Sequence, residues 1–317
     1  MSLLRVRVAD VQQITPLIKQ FTLVAADGTE LPSFSGGSHI VVAMNVEGRI
    51  HRNPYSLMSA PEDRHAYKIA VRLQEKSRGG SVHMHTAVNV GAVLDITYPV
   101  NLFALDRRAR KHILIAGGVG ITPFMSQIAD LQRMAANYEL HYAYRAHKHG
   151  AFTEFIKSTS ADQAHFYVEN EGGVLDIRAL LAKQPLGTHV YVCGPNSMVV
   201  SVLATARDLG WPDRHIHSEQ FAAPPAGEPF RLKLAKSNIE LVVPAELSML
   251  EAIEAAGVDA PYLCRGGACG RCELDVISND GVIMHHDHYL SDAEKAAGKK
   301  IMPCVSRARC DLLELNI

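Results

Sequence analysis

The sequence predicts three domains in series: an antiparallel β-barrel, an α/β domain built on a parallel sheet, and a small mixed sheet packed on one helix. At 317 residues the chain is too long for one ordinary core. Short strand-like runs set apart by Gly, Pro, Asn or Asp fill residues 1–105, whereas strand–helix alternation fills 106–221. A linker over 222–229, Ala-Ala-Pro-Pro-Ala-Gly-Glu-Pro, is poor in core formers and stiffened by proline, and it sets off residues 230–317.

In the first stretch Leu4–Val8, Ile18–Val24, His39–Met44, Ala66–Leu73 and Val93–Tyr98 read as strands, and their regular spacing argues for a barrel. In the second, strands at His112–Ala116, Glu139–Tyr144 and Val190–Cys193 alternate with helices at Pro123–Ala135, Phe152–Ser158 and Ser197–Leu209. That rhythm makes a parallel sheet with crossover helices. In the third, Phe230–Lys236 and Ile239–Val243 form a hairpin around Ser237-Asn238. Ser248–Ala256 follows as a short helix, with returning strands at Glu273–Ile277 and Asp311–Ile317.

Composition narrows the function. With 32 basic and 33 acidic residues the formal charge is −1, which leaves no nucleic-acid footprint. No apolar run approaches the roughly 18 residues of a membrane span. The opening MSLLRVRV lacks the charged-then-apolar run of a secretory signal, so a reducing cytoplasm is expected.

Four cysteines carry the strongest chemistry. Cys264, Cys269 and Cys272 read C-x4-C-x2-C, and Cys304 follows at a distance. This is the plant-type [2Fe–2S] spacing, with three thiolates on one tight loop and the fourth from a distant segment. Gly266, Gly267 and Gly270 lie between the ligands, where a loop needs unusual φ and N–H groups aimed at sulfur. Structural zinc, the alternative, favours paired C-x2-C units, and only one occurs. Of the remaining cysteines, Cys310 reads as a small buried hydrophobe.

Two motifs mark the α/β domain. Gly117, Gly118 and Gly120 lie in I-A-G-G-V-G-I-T-P, between a buried strand and a helix, where backbone N–H groups can meet a pyrophosphate. The spacing is not G-x-G-x-x-G, and taken alone such a turn is as often purely structural. Tyr191-Val192-Cys193-Gly194-Pro195 ends another strand of the same sheet, at the edge where such sheets bind ligands. In the barrel, Arg52-Asn53-Pro54-Tyr55-Ser56-Leu57 puts a ring and a hydroxyl on one strand end. Arg78-Gly79-Gly80-Ser81 offers a nest, a hydroxyl and a guanidinium for a terminal phosphate. A flavin barrel beside a nicotinamide site fits all four motifs together.

These motifs resemble the phthalate dioxygenase reductase family, which includes vanillate demethylase and carnitine monooxygenase reductases. The likeness runs through the chain, including Ser218-Glu219-Gln220-Phe221 and Cys304-Val305-Ser306-Arg307-Ala308, and looks nearest the carnitine type. It implies an FMN barrel, an NADH domain and a C-terminal β-grasp ferredoxin domain with one [2Fe–2S] cluster. It implies Asn53, Tyr55 and Ser56 along the flavin, Ala70, Val71 and Arg72 at the isoalloxazine, and Arg78, Gly79, Gly80 and Ser81 at its phosphate. Thr122 would sit between flavin and nicotinamide, with Cys193, Gly194 and Pro195 nearby and Phe221 covering the flavin. Tyr144 and Arg145 would meet the adenosine side. The expected partner is the Rieske centre of a separate oxygenase, docking at Arg265, Ala268 and Arg271, and the reductase itself is expected to be a monomer.

Two departures from the family pattern stand out. Asn53 occupies the place of the family arginine, and Arg52, one residue earlier, faces the other side of its strand. Ala146-His147-Lys148-His149 replaces the usual acidic residue, so NADPH is a second possibility. The run His285-His286-Asp287-His288 reads as a solvated loop before a helix start at Ser291. His83 and His85 read as rim residues alternating on one face.

Overall fold

The computed structural model describes residues 3–46, 48–74, 79–221 and 227–317. In the first sheet, alternation of apolar and polar residues sets the pairing. β1 (Leu3–Thr15), β2 (Ile18–Ala25), β3 (Ser38–Val46), β4 (Arg49–Ser56), β5 (Tyr67–Arg72), β6 (Val93–Thr97) and β7 (Val100–Asn101) share one sheet. Its order is β4-β3-β6-β1-β2-β5, with β7 on β3. The pairs β1·β2, β1·β6, β2·β5, β3·β6 and β3·β7 are antiparallel. Val6, Val8, Phe21 and Leu23 are buried at every second position, as the pleat requires. Past β4, Leu57 N–H donates to the Ser38 carbonyl and Met58 N–H to that of Lys68, both at 2.8 Å, which draws the β4 end onto β5 and closes the barrel. Pro54 sits in the end strand of that order, where a missing N–H does least harm. His83 and His85 fall on α1 (Gly80–Thr86), not on an alternating edge, and His85 Nε2 donates to the Val71 carbonyl at 2.8 Å.

The second sheet is parallel: β8 (Lys111–Gly117), β9 (Tyr138–Tyr144), β10 (Ala164–Val168), β11 (Thr188–Cys193) and β12 (Ile216–Glu219), in order β10-β9-β8-β11-β12. Its helices are α2 (Thr122–Arg133), α3 (Thr153–Ser160), α4 (Ile177–Ala182) and α5 (Asn196–Asp208). Both faces are covered, so β8 and β11 carry apolar runs over residues 113–117 and 190–193. Leu114, Tyr142 and Tyr191 pack with Phe124 and Ile156 on one side. Ile113, Ile115, Val190 and Val192 pack with Leu180, Val199 and Val202 on the other. The strand order reverses between β8 and β11, which makes that gap the switch point.

The third sheet comprises β13 (Phe230–Leu234), β14 (Ile239–Val243), β15 (Leu274–Asn279), β17 (Lys300–Ile301) and β19 (Leu312–Leu315). β16 (Val282–Met284) and β18 (Arg307–Arg309) form a separate ribbon. α6 (Met249–Ala255) and α7 (Asp292–Ala297) complete the domain. The order β14-β13-β19-β15-β17, with β13 and β19 parallel, is a β-grasp. Asn238, at φ 52°, turns the first hairpin. Ser248 and Ser291 open the two helices with reciprocal capping boxes to Glu251 and Glu294. Among the described residues no helix is long and apolar enough to cross a membrane.

The chain gathers into two compact units, one of Met1–Met44, Tyr55–Glu75 and Ser81–Gln220, the other of Asn45–Pro54, Lys76–Gly80 and Phe221–Ile317. Inside the second, Arg307 is fully buried. Its guanidinium donates to the carbonyl of Leu247 and, at 3.0 Å each, to those of Glu228 and Pro244. One side chain thus satisfies loop carbonyls that would otherwise be orphaned. Replacing Arg307 by Leu should lower the stability of this unit by about 3 kcal/mol or more, because several buried acceptors lose their donor. Denaturant unfolding followed by visible absorbance measures it, and an unshifted midpoint would contradict the assignment.

Candidate functional site

The carboxyl edge of the parallel sheet is built from two strand ends that touch backbone to backbone. β8 ends at Gly117, Gly118 turns at φ 54°, and a short 3-10 turn, Gly118–Ile121, runs into α2. A Cβ on Gly120 would lie 2.2 Å from the Cys193 carbonyl oxygen, and one on Gly117 would lie 2.5 Å from Pro195 Cδ. A Cβ on Gly194 would come within 3.0 Å of Gly117 Cα. Only glycine fits this approach. The two motifs recognised separately in the sequence are therefore neighbours across the switch point. Thr122, 2% exposed, donates its hydroxyl to the Val119 carbonyl at 3.0 Å.

Cys193 is fully buried, and burial, followed by the carboxylate of Glu219, pushes its thiol well above the ordinary range. The β11–β12 register sets Glu219 beside Cys193. Ser56 donates its hydroxyl to Glu219 Oε2 at 3.4 Å, so the barrel hydroxyl, the carboxylate and the thiol gather in one place. Residue-by-residue reading missed Glu219 as a site residue. Its signal was position, at the end of the strand next to Cys193.

The remaining expected residues fall as follows. Ala70 and Val71 are buried on β5 and Arg72 is exposed. Asn53 and Tyr55 are half-buried, two apart on β4 and so on one face. Gly79 has φ 100°, Gly80 opens α1, and the Ser81 hydroxyl accepts from Gln74 N–H at 3.1 Å. Arg78 lies outside the described residues, as does the 222–226 part of the linker. Tyr144 is buried at the end of β9, Arg145 next to it is exposed, and Phe221 beyond β12 is 42% exposed. In the basic stretch after β9, His147 Nε2 lies 2.8 Å from a Glu171 carboxylate oxygen. An acidic group thus stands at that corner, which the local sequence had shown only as basic.

The cysteine loop runs from Cys264 to Cys272, between α6 and β15. Gly267 and Gly270 have φ 74° and 71°, and Gly266 N–H donates to Cys264 Sγ at 3.3 Å. Backbone N–H groups of Ala268 and Cys269 also meet the Cys264 sulfur, as Arg271 meets that of Cys269 and Gly267 that of Cys304. The hydrogen bond between the Cys264 and Cys269 sulfurs, resisted by burial and helped by these N–H groups, lowers the Cys264 thiol and raises that of Cys269. The Cys272–Cys304 pair divides in the same way, with Cys272 lowered and Cys304 raised, so each pair shares one proton that a metal would displace. Sulfurs facing one another in a shell of N–H donors suit thiolates shared with iron. The donor set fits a [2Fe–2S] cluster.

Three expectations need correction. Arg265 is not an exposed docking residue: it is 5% exposed, at φ 51°. That turn folds its side chain back over the Tyr262 ring at 3.8 Å, and both of its terminal nitrogens bond Glu254 of α6. Arg52 reaches the same carboxylate at 3.4 Å, so its charge serves this ion-pair network. Ala268 and Arg271 are exposed as expected. The His285–His288 run is not a solvated loop throughout. Asp287, 3% exposed, accepts from Leu290 N–H at 2.9 Å and the Ser306 hydroxyl at 3.1 Å, and His288 N–H donates to the Gly267 carbonyl at 3.0 Å. The segment braces the cysteine loop, while His286 and His288 stay exposed. Cys310 is only half-buried, and burial followed by Asp280 and Asp311 raises its thiol to about 11.

Comparison with known proteins identifies the family. Residues 232–309 match the 2Fe-2S iron-sulfur cluster binding domain, and 98–216 match the dimethylamine monooxygenase subunit DmmA-like N-terminal domain. The chain is 46% identical over 312 residues to the carnitine monooxygenase reductase subunit of Acinetobacter baumannii, covering 98% of this chain and 96% of that protein. It is 45% identical over 306 residues to the heme-dependent oxidative N-demethylase beta subunit of Ectopseudomonas mendocina, covering 96% of each. The solved phthalate dioxygenase reductase superposes with a TM-score of 0.89 at 32% identity, covering 100% of this chain and 98% of that one.

Fold and site together define an electron-transfer oxidoreductase, the reductase component of an oxygenase system. The chain belongs to the family of flavin and iron–sulfur oxygenase reductases that includes the carnitine monooxygenase, vanillate O-demethylase and phthalate dioxygenase reductases. Its cofactors are those of the family: FMN, NADH and a [2Fe–2S] cluster. Replacing Gly120 by Ala must push β11 away from the glycine turn. Bleaching of the flavin by NADH should slow at least about tenfold, since small misplacements at such a site are costly. Stopped-flow absorbance checks it, and a wild-type rate would contradict the contact.

Proposed function

We propose that this reductase takes a hydride from NADH at the β8–β11 edge and sends electrons singly, through a cluster on Cys264, Cys269, Cys272 and Cys304, to a Rieske oxygenase. The division of labour is a flavin barrel at 1–105, a nucleotide domain at 106–221, a linker at 222–229 and a ferredoxin domain at 230–317. The observation that carries the reading is the contact of Gly117 and Gly120 with the Cys193–Pro195 turn, which makes one ligand edge out of two motifs. When bound, FMN accepts two electrons together and the cluster carries them one at a time.

The chain's own part is positioning. N–H groups of the Gly117, Gly118 and Gly120 turn hold pyrophosphate at the start of α2. Thr122, Cys193, Gly194 and Pro195 shape the nicotinamide pocket. Cys193, its thiol kept protonated by burial, packs and does not attack. Asn53, Tyr55, Ser56, Ala70, Val71 and Arg72 lie along the flavin, Phe221 covers it, and Arg78, Gly79, Gly80 and Ser81 hold its phosphate. The Ser56–Glu219 bond fixes the hydroxyl in that row. Tyr144 and Arg145 take the adenosine end, where Glu171 beside His147 disfavours a 2′-phosphate and so supports NADH over NADPH.

The oxygenase docks at the exposed rim of the cysteine loop, around Ala268, Arg271 and Tyr289. The protein works as a monomer in the cytoplasm, where its free cysteines suit a reducing compartment. For the acceptor, the carnitine-type relative supports a Rieske oxygenase acting on a quaternary amine. A second reading, a haem-dependent oxygenase, is supported by the N-demethylase relative of nearly equal identity.

Cys193→Ala should lower the rate of flavin reduction about tenfold while changing nucleotide affinity little, because alignment and not binding is lost. Stopped flow at varied NADH separates the two, and an unchanged limiting rate would reject the role. NADH-driven turnover with purified carnitine-type and haem-dependent oxygenases tests the acceptor. Turnover by the haem enzyme alone would replace the Rieske reading. Arg271→Glu should slow transfer to the oxygenase without slowing flavin bleaching, and unaltered transfer removes Arg271 from the docking face.

A further inference from the structure

The parallel sheet holds a second group of metal-type donors that the redox relay does not use. Glu139 and His141 stand two apart on β9 and so share a face. The β9–β10 register puts His165 directly beside His141. Donor atoms of the three residues lie within 4.8 Å of one another. Glu139 Oε2 and His141 Nε2 are 3.4 Å apart, close to the spacing of about 3.3 Å between two donors on a tetrahedral zinc ion. The His141 and His165 rings lie nearly parallel, 4.9 Å between centroids, and His165 is exposed and can turn its nitrogen inward.

The surroundings orient these donors. His141 is 4% exposed, and its Nδ1 lies 2.9 Å from the Tyr167 hydroxyl. Without an ion Nε2–H donates to Glu139 Oε2; with the proton moved to Nδ1 and donated to Tyr167, Nε2 is free to ligate an ion held between it and the carboxylate. Lys111 Nζ donates to Glu139 Oε1 at 2.7 Å and to Gln184 Oε1 at 2.9 Å, which fixes the carboxylate and leaves Oε2 on the side of His141. We propose that Glu139, His141 and His165 bind a divalent transition-metal ion, with Zn²⁺ the best match, and that the ion ties edge strand β10 to β9. Two imidazoles and one carboxylate form a zinc-type set, and three protein ligands leave a position for water.

The test uses the holoprotein with flavin and cluster in place, dialysed against Zn²⁺ and counted for zinc and iron by plasma mass spectrometry, with affinities from calorimetry. The wild type should take up a single equivalent of zinc. His165→Ala should weaken binding about 100-fold, and Tyr167→Phe, which removes only the partner of a ligand, about 10-fold. His286→Ala, an exposed histidine elsewhere, should bind as wild type does. NADH-driven flavin bleaching at the wild-type rate shows that each variant is folded. No zinc uptake by the wild type, or equal stoichiometry and affinity in His165→Ala, would overturn the proposal and leave the cluster as a hydrogen-bonded ion pair.

Discussion

The ends of β8 and β11 meet without side chains between them, and the nucleotide edge proposed above depends on that contact. A single methyl group on Gly120 would overlap the Cys193 carbonyl. Because the two strands are neighbours at the switch point, their closeness turns two short loops into one platform that can face a dinucleotide. The same register brings Glu219 next to Cys193 and, through Glu219, the Ser56 hydroxyl of the barrel. Hydride transfer asks for alignment more than for an acid or base, which is why rigid contacts suit the role proposed for this edge.

The ferredoxin unit solves a different problem, a loop whose sulfurs must carry charge without collapsing on one another. Its answer is a shell of backbone N–H groups, made possible by positive φ at Arg265, Gly267 and Gly270. The shell is braced from outside. Asp287 and Ser306 tie one flank, Arg307 gathers three carbonyls on another, and Glu254 receives both Arg265 and Arg52. A buried arginine at Arg265 would be costly alone, and Glu254 together with the Tyr262 ring compensates it. The bracing residues hold the cysteine loop with Ala268 and Arg271 on its exposed rim.

Much of this was legible in the sequence, for reasons that can be stated. Plant-type cysteine spacing is a strong local code, because the loop geometry leaves few alternatives. The three sheets followed from periodicity, since the runs in β1, β2, β8 and β11 are clean. β10, with His165 and Tyr167 among apolar residues, lacks such a run and was not recognised, nor was the two-residue β7. Misreadings came where tertiary contacts override local pattern. Arg265 looked exposed because arginine in a glycine loop usually is, and only α6 supplies the carboxylate that buries it. Asp287 looked solvated among histidines, yet its partner Ser306 lies far along the chain. Glu171, which meets His147 from the 3-10 turn after β10, was invisible for the same reason.

The most direct test of the relay is an anaerobic titration of the purified protein with NADH, followed by electron paramagnetic resonance and by iron and acid-labile sulfide analysis. Reddish-brown protein with matched iron and sulfide is expected, with about one unpaired spin per chain from a reduced [2Fe–2S] centre once the flavin has been filled. Protein that bleaches its flavin yet develops no cluster spin, or that carries zinc in place of iron, would contradict the relay.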